Sequence, residues 1–142
     1  MITEYIDLPE RFDLIEYINH EIEKKDFPDK IKGCVDINPD MIPNGVLNTL
    51  EKLGYNREIT RAWIHFMDPG SDHASGHIHE HDTAVVYLQT YEGSGDLKFN
   101  DSNEILHPEN DMLAIVPALE NHSMTTNESP FRRLAMAFPI SK

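Results

Sequence analysis

The chain has 142 residues and carries 25 Asp and Glu against 12 Lys and Arg, a formal charge of −13 at pH 7. That balance argues against nucleic acid or an anionic membrane as a partner, because neutralising phosphates takes clustered Lys and Arg. A hydrophobic content of 39% supports one core and excludes a disordered tail, the lone Cys34 excludes an internal disulfide or a Cys-based zinc finger, and no apolar run has the length of a signal peptide core or a membrane span, so the cytoplasm is the expected compartment.

In chain order, residues 7–25 carry Leu14, Ile15, Ile18 and Ile22 at helical spacing between charges such as Glu16, Glu21 and Lys24, with Pro9 suited to the first turn. A second short helix is predicted over 43–53, where Val46, Leu47, Leu50 and Leu53 form one stripe and Gly54 supplies the stop. From Arg57 onward the texture is that of strands. Runs at 59–67, 83–90, 96–99, 112–116 and 131–138 are rich in β-formers and are separated by Gly, Pro, Asn and Asp. Many short strands with no long helix between them read as an antiparallel sandwich or barrel of about eight strands. The expected organisation is a single domain over 1–142, with 1–56 as a helical N-terminal cap and 57–142 as the β-barrel core.

The placement of the eight His is the feature that points to chemistry. The segment His73-Ala74-Ser75-Gly76-His77-Ile78-His79-Glu80-His81-Asp82 holds four of them. In a strand, residues two apart share a face, so His77 and His79, or His79 and His81, can aim imidazoles at one point. Imidazole suits Fe, Zn, Cu and Ni, but two same-face residues cannot encircle an ion. The third ligand expected is His122, which follows the apolar run 112–116 and a turn at Pro117, and it would face His77 across a barrel mouth. The competing reading is a solvated, His-rich surface loop. His20, His65 and His107 read as structural or surface residues, and His73 stays outside the site.

The residues Ala62-Trp63, Gly70, His77-x-His79, Val85-Val86-Tyr87-Leu88 and Gly93-Ser94-Gly95-Asp96-Leu97-Lys98-Phe99 resemble 2-oxoglutarate/Fe(II)-dependent oxygenases of the cupin-like superfamily. Pro108, Asp111-Met112-Leu113, Val116-Pro117, His122, Asn127-Glu128-Ser129 and Arg133-Leu134-Ala135-Met136-Ala137-Phe138 continue the resemblance, which spans about 60–140. It implies a double-stranded β-helix, or jelly roll, mainly β, on one face of which the amphipathic N-terminal helices are expected to pack. It further implies Fe(II) and 2-oxoglutarate as cofactors, His77 as proximal ligand, His122 as distal ligand, and Arg133 as the cation for the far carboxylate of 2-oxoglutarate. A guanidinium matches a carboxylate through two parallel hydrogen bonds, although Arg132 and Arg133 also read as two charges at a strand start, one outside and one satisfied by a surface acid. Tyr87 either hydrogen-bonds the cosubstrate or is a core aromatic with its hydroxyl at the rim.

This chain departs from the family pattern of His-x-Asp or His-x-Glu, because the residue two after His77 is His79. A three-His site of His77, His79 and His122 is the direct reading, with Asp82 and His81 as further candidate ligands and Glu80 nearby. Three neutral imidazoles leave a divalent ion at its full charge of +2. The family's Ser or Thr two residues after the Arg is here Ala135. The pattern of plain cupins also fits, with Asn110 in place of a Gly. The expected function is hydroxylation of a small-molecule or peptide substrate with O2. The alternatives are a three-His, cupin-type metalloenzyme without 2-oxoglutarate and a non-catalytic ligand-binding barrel. The resemblance also implies a homodimer.

Overall fold

A computed structural model describes residues 2–24 and 33–142. The described residues form strands β1 (Ile2–Tyr5), β2 (Cys34–Ile37), β3 (Ala62–Met67), β4 (His73–His77), β5 (Asp82–Gln89), β6 (Leu97–Phe99), β7 (Ile105–Leu106), β8 (Met112–Val116), β9 (His122–Met124) and β10 (Arg133–Ile140), with helices α1 (Arg11–Lys24) and α2 (Asn44–Lys52). Six strands make one sheet in the order β1-β8-β5-β10-β3-β2, and four make a second in the order β4-β9-β6-β7. All pairings are antiparallel. The architecture is therefore mainly β, as the sequence implies, with the helices against one face of the larger sheet.

Period-2 alternation divides the large sheet into two environments. Ile64 and Phe66 of β3, Ala84, Val86 and Leu88 of β5, Leu113 and Ile115 of β8, and Leu134, Met136 and Phe138 of β10 form one apolar cluster with α1 and α2. Leu14, Ile18 and Ile22, spaced by four, line the buried side of α1, and Val46 and Leu50 do so for α2. Each such side chain contributes about 1.5–3 kcal/mol on leaving water. The opposite face, with Tyr87, Met112, Ala114 and Ala135, turns toward the small sheet, where Leu97 and Phe99 pack on Val116. Because both faces are covered, β8 and β10 read as almost unbroken apolar runs instead of alternating ones.

Helix α2 ends in a Schellman motif. Tyr55 N–H donates to the Leu50 carbonyl at 2.9 Å and Gly54 N–H to that of Glu51 at 3.0 Å, with Gly54 at φ 91°. This left-handed position favours glycine, and it seats Tyr55 on the core beside Leu50. Two expectations are adjusted. The N-terminal part is not purely helical, since β1 and β2 add the two edges of the large sheet. The last strand begins at Arg133 and runs to Ile140, two residues later than the 131–138 run at each end. Residues 25–32, which include the end of the first predicted helix and the Phe27-Pro28-Asp29 turn, lie outside the described residues.

Candidate metal centre

His77 ends β4, and His122 opens β9. The two are register partners in adjacent paired strands. They do not face each other across a barrel mouth; antiparallel pairing alone sets their rings 4.2 Å apart, centroid to centroid. His79 lies beyond β4 in the connection to β5, so its convergence comes from a loop and not from strand alternation. Its ring is 5.0 Å from His77 and 5.2 Å from His122. One ligand atom from each of the three residues lies within 4.8 Å of the others.

These residues fit a divalent ion. Two nitrogens bound at about 2.1 Å stand at most about 4.2 Å apart, so small side-chain rotations close the site. Nδ1 of His122 is 2.9 Å from the Glu120 carbonyl oxygen. A carbonyl accepts only, so Nδ1 carries the proton and Nε2 keeps the lone pair that a metal needs. Burial and the neighbouring His122, His77 and Arg61 hold the pKa of His79 down to about 4, and burial likewise lowers that of His122, against the opposing hydrogen bond to Glu120. Both are thus neutral, ligand-ready imidazoles at pH 7.

The spacing next to His77 is fixed by Gly76, where an added Cβ would collide with Oδ1 of Asn121 and approach Asn100 Nδ2 at 2.8 Å. Asn100 donates to Asn121 at 2.6 Å and accepts from the Ser123 hydroxyl at 3.1 Å, so it ties together the two neighbours of His122, and the amides of Asn100 and Asn121 lie directly against β4. The other candidate ligands do not join the group. His81 and Glu80 are exposed. Asp82 has its Oδ1 on Ala118 N–H at 2.9 Å and its Oδ2 on Tyr55 O–H at 3.1 Å. The loop therefore does not bend to bring an acid to the three His, and no carboxylate belongs to that group among the described residues.

The three His border a cavity of about 290 Å³ whose lining also includes Trp63, His65, Val85, Tyr87, Arg133 and Ala135. Arg133 is 2% exposed, and Tyr87 is equally sequestered. The guanidinium sits 5.1 Å over the Tyr87 ring, Nη1 donates to the Met67 sulfur at 3.3 Å, and Nε has no hydrogen-bond partner among the described residues. Burial raises the Tyr87 pKa, and the Arg133 charge opposes that rise. Arg132, by contrast, takes the surface role, with Nε on Asp68 at 2.6 Å. Fully buried Asn127 shapes the approach to β10 by donating to the carbonyls of Met67 and Phe131, both at 2.8 Å. A buried cation without a carboxylate costs several kcal/mol, so this arrangement favours an anionic guest.

Sequence reasoning did not single out Trp63, Arg61 or Asp36 as cavity-lining residues. Trp63, 6.0 Å from the His79 ring and 5.2 Å beneath the Arg61 guanidinium, forms the rim. Alternation along β3 was the available signal, since Trp63 and His65 occupy the face opposite Ile64 and Phe66. His65 is buried on this inner face, His20 is exposed, and His107 pairs with Asp96 at 2.9 Å.

No protein-family model and no curated protein sequence matches the chain. Solved structures do. A viral collagen prolyl hydroxylase from Paramecium bursaria Chlorella virus-1, in complex with 2-oxoglutarate, is similar at a TM-score of 0.66 and 17% identity, over 99% of this chain and 96% of that one. A prolyl-4-hydroxylase from Pseudomonas putida gives 0.63 and 16%, over 97% and 91%. An oxidoreductase of the 2OG-Fe(II) oxygenase family from Burkholderia pseudomallei gives 0.58 and 15%, over 92% and 78%. The fold is the double-stranded β-helix. Of these neighbours one holds 2-oxoglutarate and another is of the 2OG-Fe(II) oxygenase family, and the likeness extends through the N-terminal helices that the sequence resemblance did not cover.

Proposed function

We propose that the chain is a mononuclear Fe(II)-dependent oxygenase that uses 2-oxoglutarate and O2 to hydroxylate a small-molecule or peptide substrate in the cytoplasm. One observation carries this reading: a single cavity joins three convergent imidazoles to a buried Arg133 whose Nε has no hydrogen-bond partner among the described residues. His77, His79 and His122 would hold the ion and leave about three positions of an octahedral shell open. The chemistry that Fe(II) and 2-oxoglutarate supply when bound is a coupled oxidation, one atom of O2 going to the 2-oxo acid as it loses CO2 and the other to a substrate C–H bond.

The chain's own residues bind, orient and exclude water. Arg133 pairs with the far carboxylate of 2-oxoglutarate, without the help of a Ser or Thr at the position of Ala135. Tyr87, within hydrogen-bond and ring contact of Arg133, holds the guanidinium in place and would contact the same cosubstrate. Val85, Leu97, Val116 and Met124 give the cavity apolar walls that keep water from the reacting atoms. The names of two structural neighbours make a prolyl peptide the first substrate to assay.

A second reading, a three-His metalloenzyme that does not use 2-oxoglutarate, is favoured by the absence of a carboxylate from the His group among the described residues. Succinate release separates the two. Untagged, Fe(II)-loaded protein supplied with 2-oxoglutarate and O2 is expected to form succinate slowly even without substrate. Retained iron with no succinate would support the second reading, and protein that cannot be loaded with metal would leave the non-catalytic barrel.

A further inference from the structure

The acid that follows the His loop has a different task from ligation. Asp82 is the first residue of β5, three positions after His79, and both of its oxygens are engaged by groups from elsewhere in the chain. One is the Ala118 N–H, in the turn between β8 and β9. Glu120 N–H closes that turn on the Pro117 carbonyl at 3.3 Å, and of its two corner residues Leu119 alone has positive φ, at 65°. This is a type II turn, whose second corner normally belongs to Gly or Asn. Leu119 is 65% exposed, so packing of its side chain does not hold the backbone there.

Hydrogen bonds to the His loop do. Leu119 N–H donates to the His79 carbonyl at 2.8 Å. The next residue, Glu120, takes Nδ1–H of His122 on its carbonyl. Three successive residues of one turn thus grip the Asp82 carboxylate, the backbone of His79 and the ring of His122. The fourth contact reaches outside the barrel, where the Schellman motif of α2 seats Tyr55 with its hydroxyl on Asp82.

We propose that Asp82 is the positioning residue of the three-His centre: by clamping the 117–120 turn, it sets the separation of His79 from His122. The inference rests on the metal reading above and adds to it a residue that touches no metal. It also explains how a loop residue, His79, reaches the two strand-borne ligands. Backbone strain at Leu119 is sustained because the turn is held at both ends.

Co(II), whose visible spectrum reports ligand geometry, is the probe. Asp82→Asn keeps a carbonyl oxygen for Ala118 N–H, Asp82→Ala removes it, and Ala118→Pro deletes the donor while suiting the first corner of a type II turn. Co(II) affinity should fall about tenfold or more in Asp82→Ala and Ala118→Pro, with altered spectra, and stay within about threefold of wild type in Asp82→Asn. Thermal unfolding of the metal-free forms identifies a variant that fails to fold, in which case Ala118→Pro carries the test. Wild-type affinity and spectrum in Asp82→Ala or Ala118→Pro would overturn the clamp. Equal damage from Asn and Ala at position 82 would replace it with ligation or charge. A wild-type protein that takes up no Co(II) would overturn the metal reading and the clamp together, an outcome distinct from both of these.

Discussion

The two faces of the large sheet share the same strands and do opposite work. On the helix-covered face β10 presents Leu134, Met136 and Phe138 to a cluster made wholly of apolar core residues. On the inner face the same strand presents Arg133, Ala135 and Ala137 to a cavity bordered by imidazoles, a phenol and an indole. The outer face is filled by large side chains, while the inner one keeps small side chains beside a buried cation that has no ion pair among the described residues. Stability therefore resides on the outer face, and the inner face gives some of it up to form a site.

The sharpest way to break this contrast is substitution on the outer face. Phe138→Ala should lower unfolding free energy by about 3–5 kcal/mol in a denaturant titration, without altering the metal affinity of the folded fraction. On the inner face the sign should differ: Arg133→Met, which replaces a buried cation without an ion pair among the described residues by an apolar group of similar length, should leave stability unchanged or raise it by about 1–4 kcal/mol. A clear loss of stability in Arg133→Met would show that Arg133 is structural, against the account.

Acid should act on the inner face. The folded pKa of His79 is lowered to about 4 and that of His122 is lowered too, so below the ordinary value near 6.5 the unfolded chain binds more protons than the folded one. Stability of the metal-free protein should decline as pH falls from about 6.5 toward 4, and a His79→Gln variant should show a shallower decline in Tm across that window. The smallest effect expected is from Leu119→Gly, which relieves the left-handed backbone and should stabilise by at most about 1 kcal/mol once glycine's extra unfolded-state entropy is counted.

The strands with both faces covered were the most legible, because continuous apolar runs such as 112–116 leave no other placement, and β8 has those bounds. The edge strands β1 and β2 were not, since exposed or mixed residues such as Thr3, Glu4 and Asp36 carry little pattern and gain their hydrogen bonds from distant partners. In the site, the trio of His77, His79 and His122 could be read from residue type, but the reason for their meeting could not. Strand alternation predicted the pairing of His77 with His79, whereas register with β9 and a turn anchored on Asp82 bring the three together. The role of Asp82 was hidden because its partners, Tyr55 and Ala118, lie 27 and 36 positions away.

The central claim is that one cavity holds both a metal and a dicarboxylate. Calorimetric titration of 2-oxoglutarate into the Fe(II)-loaded protein, without O2, tests it directly in wild type and Arg133→Met. One-site binding in wild type, weakened at least about tenfold in the variant by loss of a charge-assisted bidentate pair, is the expected result. No binding by wild type, or equal binding by both, would contradict it.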